Sequence, residues 1–211
     1  MTDTIKHLEW RYAVKKFDPD KTLSEEKLHQ LKQAFNLTAT SYGLQPITLI
    51  VLKDKELQQG LVTHSFDQPQ VAQASHVLVI CTQEAIDQDY IANYFEQVKK
   101  VRGTSDSVLQ PFREALVADF SKKEIREIRD WSKNQAYLAL GNLLTVCAME
   151  KIDSCPMEGF DPAAYDRVLG LGERGLTSVL VLPVGYRAED DMFSGFKKVR
   201  KNLDDIVIEI G

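Results

Sequence analysis

The sequence predicts an α+β fold in which helices pack around a small sheet, as one domain over residues 1–211. Three observations lead there. Short β-branched apolar runs read as buried strands, amphipathic helical segments outnumber them, and the two do not alternate as a doubly wound fold requires. A chain of 211 residues, 44% hydrophobic and 27% charged, suffices for one domain with a core.

Ile5 and Leu8 give a short amphipathic start, and Thr22 to Phe35 places Leu28, Leu31 and Phe35 on one helical face, with Thr22 and Glu25 at capping-box spacing. Ile47 to Leu52, His76 to Ile80 and Ser178 to Val184 are predicted as strands buried on both faces. Helices follow over Ala85 to Val101 and Val108 to Ala118, then a long one from Lys122 to Met149 opened by Ser121 and Glu124. On the long helix Trp131, Gln135, Leu138, Ala139, Leu143, Val146 and Cys147 form a stripe. Ala136, Leu140, Leu144 and Met149 carry apolar surface further around, so burial on nearly all sides is expected, at a domain centre or a dimer interface. Asp161 and Pro162 cap and begin a short helix that Gly170 ends. The alternation of Ile206, Ile208 and Ile210 predicts a fourth strand.

A net charge of −5 with basic residues spread along the chain indicates neither a nucleic-acid nor a membrane surface. The N-terminus lacks the pattern of a secretory signal, which points to the cytoplasm. Cys81, Cys147 and Cys155 lack CxxC spacing, so reduced thiols are expected, with no disulfide framework and no metal site. His76 reads as a core or strand-end histidine. Gly170, Gly172 and Gly175 satisfy GxGxxG, but here a helix precedes the glycines and a strand follows, the reverse of a dinucleotide-binding turn. GxSxG, HExxH and P-loop motifs are absent, and Cys155 has no partner histidine.

Two basic clusters stand out in this acidic chain: Arg11, Lys15 and Lys16, and Lys197, Lys198, Arg200 and Lys201. They either converge on one phosphate, gripped by guanidinium and ammonium groups, or form two solvated faces. The stretch from Ser154 to Phe160 combines Pro156, Glu158 and Gly159. It suits a loop that displays backbone N–H groups to a flat ligand, or else a plain turn. Thr38 to Pro46 is hydroxyl-rich, fit for a polar ligand edge or for an ordinary helix-to-strand connection.

In this order the segments resemble the nitroreductase family, specifically its oxygen-insensitive NAD(P)H nitroreductase and dihydropteridine reductase branch. Arg11-Tyr12-Ala13-Val14-Lys15-Lys16-Phe17-Asp18 is similar to the family's RxSxxxF segment. That likeness implies that Arg11 binds the FMN phosphate and Lys15 approaches the flavin ring, with Tyr12 and Ala13 alongside. Gln45-Pro46 resembles the end of the loop that reaches the neighbouring subunit's flavin, which puts Ala39, Thr40, Ser41 and Gly43 at contact positions. Asp67 and Gln70 correspond to the asparagine and lysine at the flavin pyrimidine edge. Pro156-Met157-Glu158-Gly159-Phe160-Asp161 resembles the PxEGFD loop, whose glutamate and glycine amides face flavin N5 and O4. Lys198 and Arg200 fall on the closing KxR pair of the phosphate site.

The resemblance implies a nitroreductase-like FMN fold with a central mixed sheet, an intertwined homodimer, and NADH or NADPH as electron donor. The implied reaction is ping-pong hydride transfer through flavin N5 to small acceptors such as nitroaromatics, quinones or pterins, with Glu158 acting mainly through its backbone. Three departures bear on it. Ala13 replaces a serine, Gly43 replaces an asparagine, and the lost cation at Gln70 leaves the N1–O2 charge mainly to Lys15. The alternative readings are an FMN carrier or redox-responsive regulator without turnover, a flavin enzyme that dehalogenates or destroys flavin, and a flavin-free helical module.

Overall fold

The computed structural model describes residues 3–211. Its four strands, β1 (Ile47–Leu52), β2 (His76–Gln83), β3 (Asp153–Ser154) and β4 (Leu176–Gly185), form one sheet in the order β1-β2-β4-β3. All three ladders are antiparallel, and the parallel component is a single bridge between Ala13 and Ser154.

Period-two alternation along the central strands builds two cores, because successive side chains leave a strand on opposite faces. Val77, Val79, Cys81 and Val181 point to one face and pack with Val14, Phe17 and Tyr165. Leu78, Ile80, Leu180 and Leu182 point to the other and meet helices α2 (Glu25–Asn36) and α7 (Ile125–Met149). Burial on both faces holds for β2 and β4. At β1 it fails, since residues 48–51 are only half-buried on this edge strand.

The remaining helices are α1 (Asp3–Trp10), α3 (Lys55–Gly60), α4 (Gln70–Gln73), α5 (Gln88–Arg102), α6 (Asp106–Phe120) and α8 (Pro162–Val168). A third core joins α5, α6 and the start of α7 through Ile91, Phe95, Leu116, Phe120 and Ile128. α2 buries Leu28, Leu31 and Phe35 as its periodicity requires, but its cap is Ser24, whose side chain accepts from the Lys27 amide. Thr22 does not cap, because the next residue is held by the loop that leads into β2: Leu23 is buried and its N–H donates to Ser75 Oγ at 2.8 Å. Likewise α7 opens at Glu124, in a reciprocal box with Glu127, while Ser121 closes α6.

α7 buries Ile128, Gln135, Ala136, Ala139, Leu140, Leu143 and Cys147 but exposes Tyr137, Leu138 and Met149. Within one chain it is therefore covered on one side only. Asp161 and Pro162 begin α8 as the sequence predicts, and Gly170, at φ 61°, follows its end. The GxGxxG glycines form a helix-to-strand turn, with Gly175 at φ 63° just before β4. The predicted C-terminal strand does not form. Ile206, Ile208 and Ile210 are 61%, 86% and 93% exposed, and among the described residues no strand pairs with them. A strand needs a neighbour for its backbone groups, and the alternating pattern finds no face to bury within its own chain.

Candidate active site

The two basic clusters converge. A cleft of about 340 Å³ is lined by Arg11, Tyr12, Ala13, Lys15, Phe193, Phe196, Lys197, Lys198 and Arg200. Arg11 follows the end of α1, and the C-terminal segment crosses back so that Lys198 Nζ donates to the Arg11 carbonyl. Arg11 Nε is buried and has no hydrogen-bond partner among the described residues. A buried donor left open costs about 1–3 kcal/mol unless something accepts from it. Burial, and next the charge of Arg200, pulls the Arg11 pKa down. Burial, then Arg11 and Arg200, does the same to Lys198. These cations disfavour one another, and an anion with several acceptor oxygens, such as a phosphate monoester, would relieve both the repulsion and the open donor.

One acid shapes this cleft without neutralising it. Asp191 is buried, and its Oδ2 accepts from Tyr12 Oη at 2.9 Å and from the Lys15 and Lys16 amides at 3.1 and 3.4 Å, while Oδ1 accepts from the Phe193 amide at 3.1 Å. Burial pushes its carboxyl pKa up, but these donors outweigh it and the net shift is downward. Behind Tyr12, Arg187 stacks at 4.4 Å on its ring and at 4.5 Å on Trp10, and is held by Asp153 through Nε at 2.8 Å. The Tyr12 side chain is thus engaged on ring and hydroxyl. Neither Asp191 nor the Asp153–Arg187 pair was legible as a site residue, since each acts across more than thirty positions of sequence.

Lys15 carries the cleft toward the loop after β3. Its Nζ lies 3.9 Å from Cys155 Sγ, as does Gln70 Nε2 from α4. Cys155 is 1% exposed and burial pushes its thiol pKa up, which suits packing and not nucleophilic attack. All three cysteines are free and buried, and no cluster of metal-binding side chains occurs among the described residues.

The turn at Met157–Phe160 is aimed by its peptide planes. A trans peptide points its N–H opposite to the preceding carbonyl. The Met157 carbonyl accepts from the Val181 amide on β4 at 3.1 Å, so the Glu158 N–H faces away from the sheet. The Glu158 carbonyl accepts from the Phe160 amide at 3.0 Å, which fixes the Gly159 N–H in turn. Neither amide donates to an acceptor among the described residues. Gln68 and Phe66 lie against Gly159, where an added Cβ would stand 3.2 Å from Gln68 Nε2. Asp67, at φ 58°, belongs to the same left-handed loop.

The hydroxyl-rich loop is not part of this assembly within one chain. Ser41 donates its amide to Gln135 on α7 at 2.9 Å, and Thr40 Oγ1 accepts from the Gln45 amide at 3.1 Å. Tyr42 packs on Phe112, Phe120 and Trp131. Gly43, at φ 75°, lies where a Cβ would stand 2.7 Å from Tyr94 Oη. The structure therefore brings together Arg11, Tyr12, Ala13, Lys15, Lys198 and Arg200, joins Gln70 and the loop from Pro156 to Gly159 to them through Cys155, and leaves Ala39, Thr40, Ser41 and Gly43 elsewhere.

Comparison with known proteins agrees with the motif order. The chain is 29% identical over 213 residues to a Salmonella typhimurium protein named oxygen-insensitive NAD(P)H nitroreductase, covering 95% of this chain and 96% of that one. A nitroreductase-like protein of Streptococcus mutans superposes with a TM-score of 0.83 at 25% identity, over 99% and 98% of the two chains. A candidate nitroreductase of Exiguobacterium sibiricum, solved in complex with FMN, superposes with a TM-score of 0.84 at 19% identity over 100% and 98%. No helix among the described residues is long and apolar enough to cross a membrane. With the Nitroreductase family model matching residues 8–186, from just before Arg11 to the end of the sheet, the chain belongs to the nitroreductase family.

Proposed function

We propose that this chain is an FMN-dependent NAD(P)H oxidoreductase, a single cytoplasmic domain that works as a homodimer on small planar acceptors such as nitroaromatics, quinones or pterins. The observation that carries the reading is the open, buried Nε of Arg11 in a cleft shared with Lys198 and Arg200. This cleft gathers positive charge that suits a phosphate, and Lys15 reaches from it to Cys155, in the segment that leads to the Glu158–Gly159 turn. FMN, when bound, would supply the two-electron chemistry that links NADH or NADPH to the acceptor. Arg11, Lys198 and Arg200 would hold the phosphate. Lys15 would offer a cation to the ring, Asp67 and Gln70 would serve its pyrimidine edge, and the Glu158 and Gly159 amides would donate hydrogen bonds to it.

A second copy completes this site. The loop with Ala39, Thr40, Ser41 and Gly43 is fastened to α7 and the α5–α6 pair, and α7 exposes Tyr137, Leu138 and Met149. An apolar helix face and an exposed apolar C-terminal segment are surfaces suited to a partner. The test is to titrate FMN into wild type and Arg11→Ala and follow flavin fluorescence. Wild type is expected to bind tightly and the variant to lose at least about a hundredfold in affinity, the worth of a buried charge-assisted pair. A variant that retains its flavin through purification would contradict the assignment.

A further inference from the structure

The mechanism proposed above uses the backbone of Glu158 and Gly159, which leaves unexplained what holds that turn and why residue 158 carries a carboxyl group. Two side chains from distant elements grip it. Tyr137, on the exposed face of α7, donates its hydroxyl to Glu158 Oε1 at 2.7 Å. Gln68, from the loop before α4, donates Nε2 to the Gly159 carbonyl at 2.8 Å and to the Ser65 carbonyl at 3.0 Å. Gln70 Nε2 in turn donates to Gln68 Oε1 at 3.0 Å, so the amide of Gln68 is oriented with its nitrogen toward the turn. The Tyr137 pKa is raised first by its bond to Glu158 and then by burial, so the phenol stays a donor through the neutral range.

These contacts act on different parts of the turn. The Gln68 bond fixes the plane that follows Gly159, and the Tyr137 bond fixes the side chain of the residue whose own N–H is one of the two open donors. Gly159 has no side chain to restrain it, and an added Cβ would press on Gln68. Rotation of this turn by a few tens of degrees would misdirect both amides, because a hydrogen bond weakens steeply as its angle departs from linear. We propose that Tyr137 and Gln68 are positioning residues that clamp the Glu158–Gly159 turn, and that the Glu158 carboxylate serves as the acceptor for Tyr137. The inference rests on the flavin reading given above.

The test uses FMN-loaded protein and four variants: Tyr137→Phe, Gln68→Met, Glu158→Gln and Glu158→Ala. Three quantities are read: the FMN dissociation constant, the midpoint potential of the bound flavin, and its anaerobic reduction rate at saturating nicotinamide. Tyr137→Phe and Gln68→Met are each expected to slow reduction about fivefold, the worth of one hydrogen bond, and to move the potential. The FMN dissociation constant should stay within about twofold, because the phosphate contacts are untouched. Glu158→Gln keeps an acceptor oxygen and should slow reduction less than Glu158→Ala does, and Tyr137→Phe added to Glu158→Ala should cost nothing further. Unchanged rate and potential in both Tyr137→Phe and Gln68→Met would overturn the clamp, as would an undiminished Tyr137→Phe effect on the Glu158→Ala background. If Gln68→Met fails to fold, the Tyr137–Glu158 cycle decides alone. Wild-type protein that binds no FMN would overturn the flavin reading itself, and the clamp with it.

Discussion

Asp191 gathers the Tyr12 hydroxyl and three backbone amides around one buried carboxylate, and so sets the path of the segment that carries Arg11 and Lys15. Asp191→Asn would turn an acceptor-only group partly into a donor facing those N–H groups, and should cost about 1–3 kcal/mol of stability at neutral pH. The carboxyl is depressed in the folded state, so its contribution is fully present above the ordinary value of 3.8 and disappears as pH falls through the lower folded value. Denaturant unfolding of wild type and variant should therefore differ at pH 7 and converge in strong acid. A gap that stays constant down to that range would contradict the assignment. Glu158→Gln is expected to slow turnover only about twofold by comparison, since the amide side chain still accepts a hydrogen bond. Arg11, Lys198 and Glu158 stood out as candidates in the sequence because charge in an acidic chain and a Pro-x-Glu-Gly loop are local patterns. Asp191, Gln68 and Tyr137 were not, because their roles depend on partners brought together only by folding.

Helix and strand periodicity was legible wherever one face is buried: α2, the cap of α8, β2 and β4 follow the pattern of their own residues. Boundaries were less so. The choice between Thr22 and Ser24 as a cap turns on the Leu23–Ser75 bond, which no window of sequence contains. Ser24→Ala should lower stability by about 1 kcal/mol, while Thr22→Ala should change little, as measured by chemical denaturation. A larger loss at Thr22 would reverse the assignment. Gly43 stands where the family pattern has an asparagine, and here the reason is steric as well as conformational, with Tyr94 Oη within 2.7 Å of an added Cβ. Gly43→Ala should destabilise by at least about 1 kcal/mol through its positive φ alone. Tyr94→Phe should recover part of the loss; no recovery would mean that the contact with Tyr94 carries none of the cost.

At the scale of the whole molecule, the exposed Leu138 and Met149 of α7 and the exposed Ile206, Ile208 and Ile210 fit the homodimer proposed above. The apolar surplus of the long helix was legible in its sequence, whereas the C-terminal alternation suggested a strand that does not form. Neither pattern says what would cover these side chains. Sedimentation of the holoprotein should show a dimer at micromolar concentration, and removal of residues 203–211 should weaken it. A truncated protein that sediments as the full chain does would separate the tail from assembly. The central claim is that the Arg11 cleft and the Glu158–Gly159 turn serve a nicotinamide-reduced flavin. Its most direct test is the visible spectrum of FMN-loaded protein before and after anaerobic addition of NADH or NADPH. The account predicts a bound flavin whose oxidised absorption bleaches rapidly with at least one of the two donors; a flavin that stays oxidised with both would contradict it and favour a carrier or regulatory role.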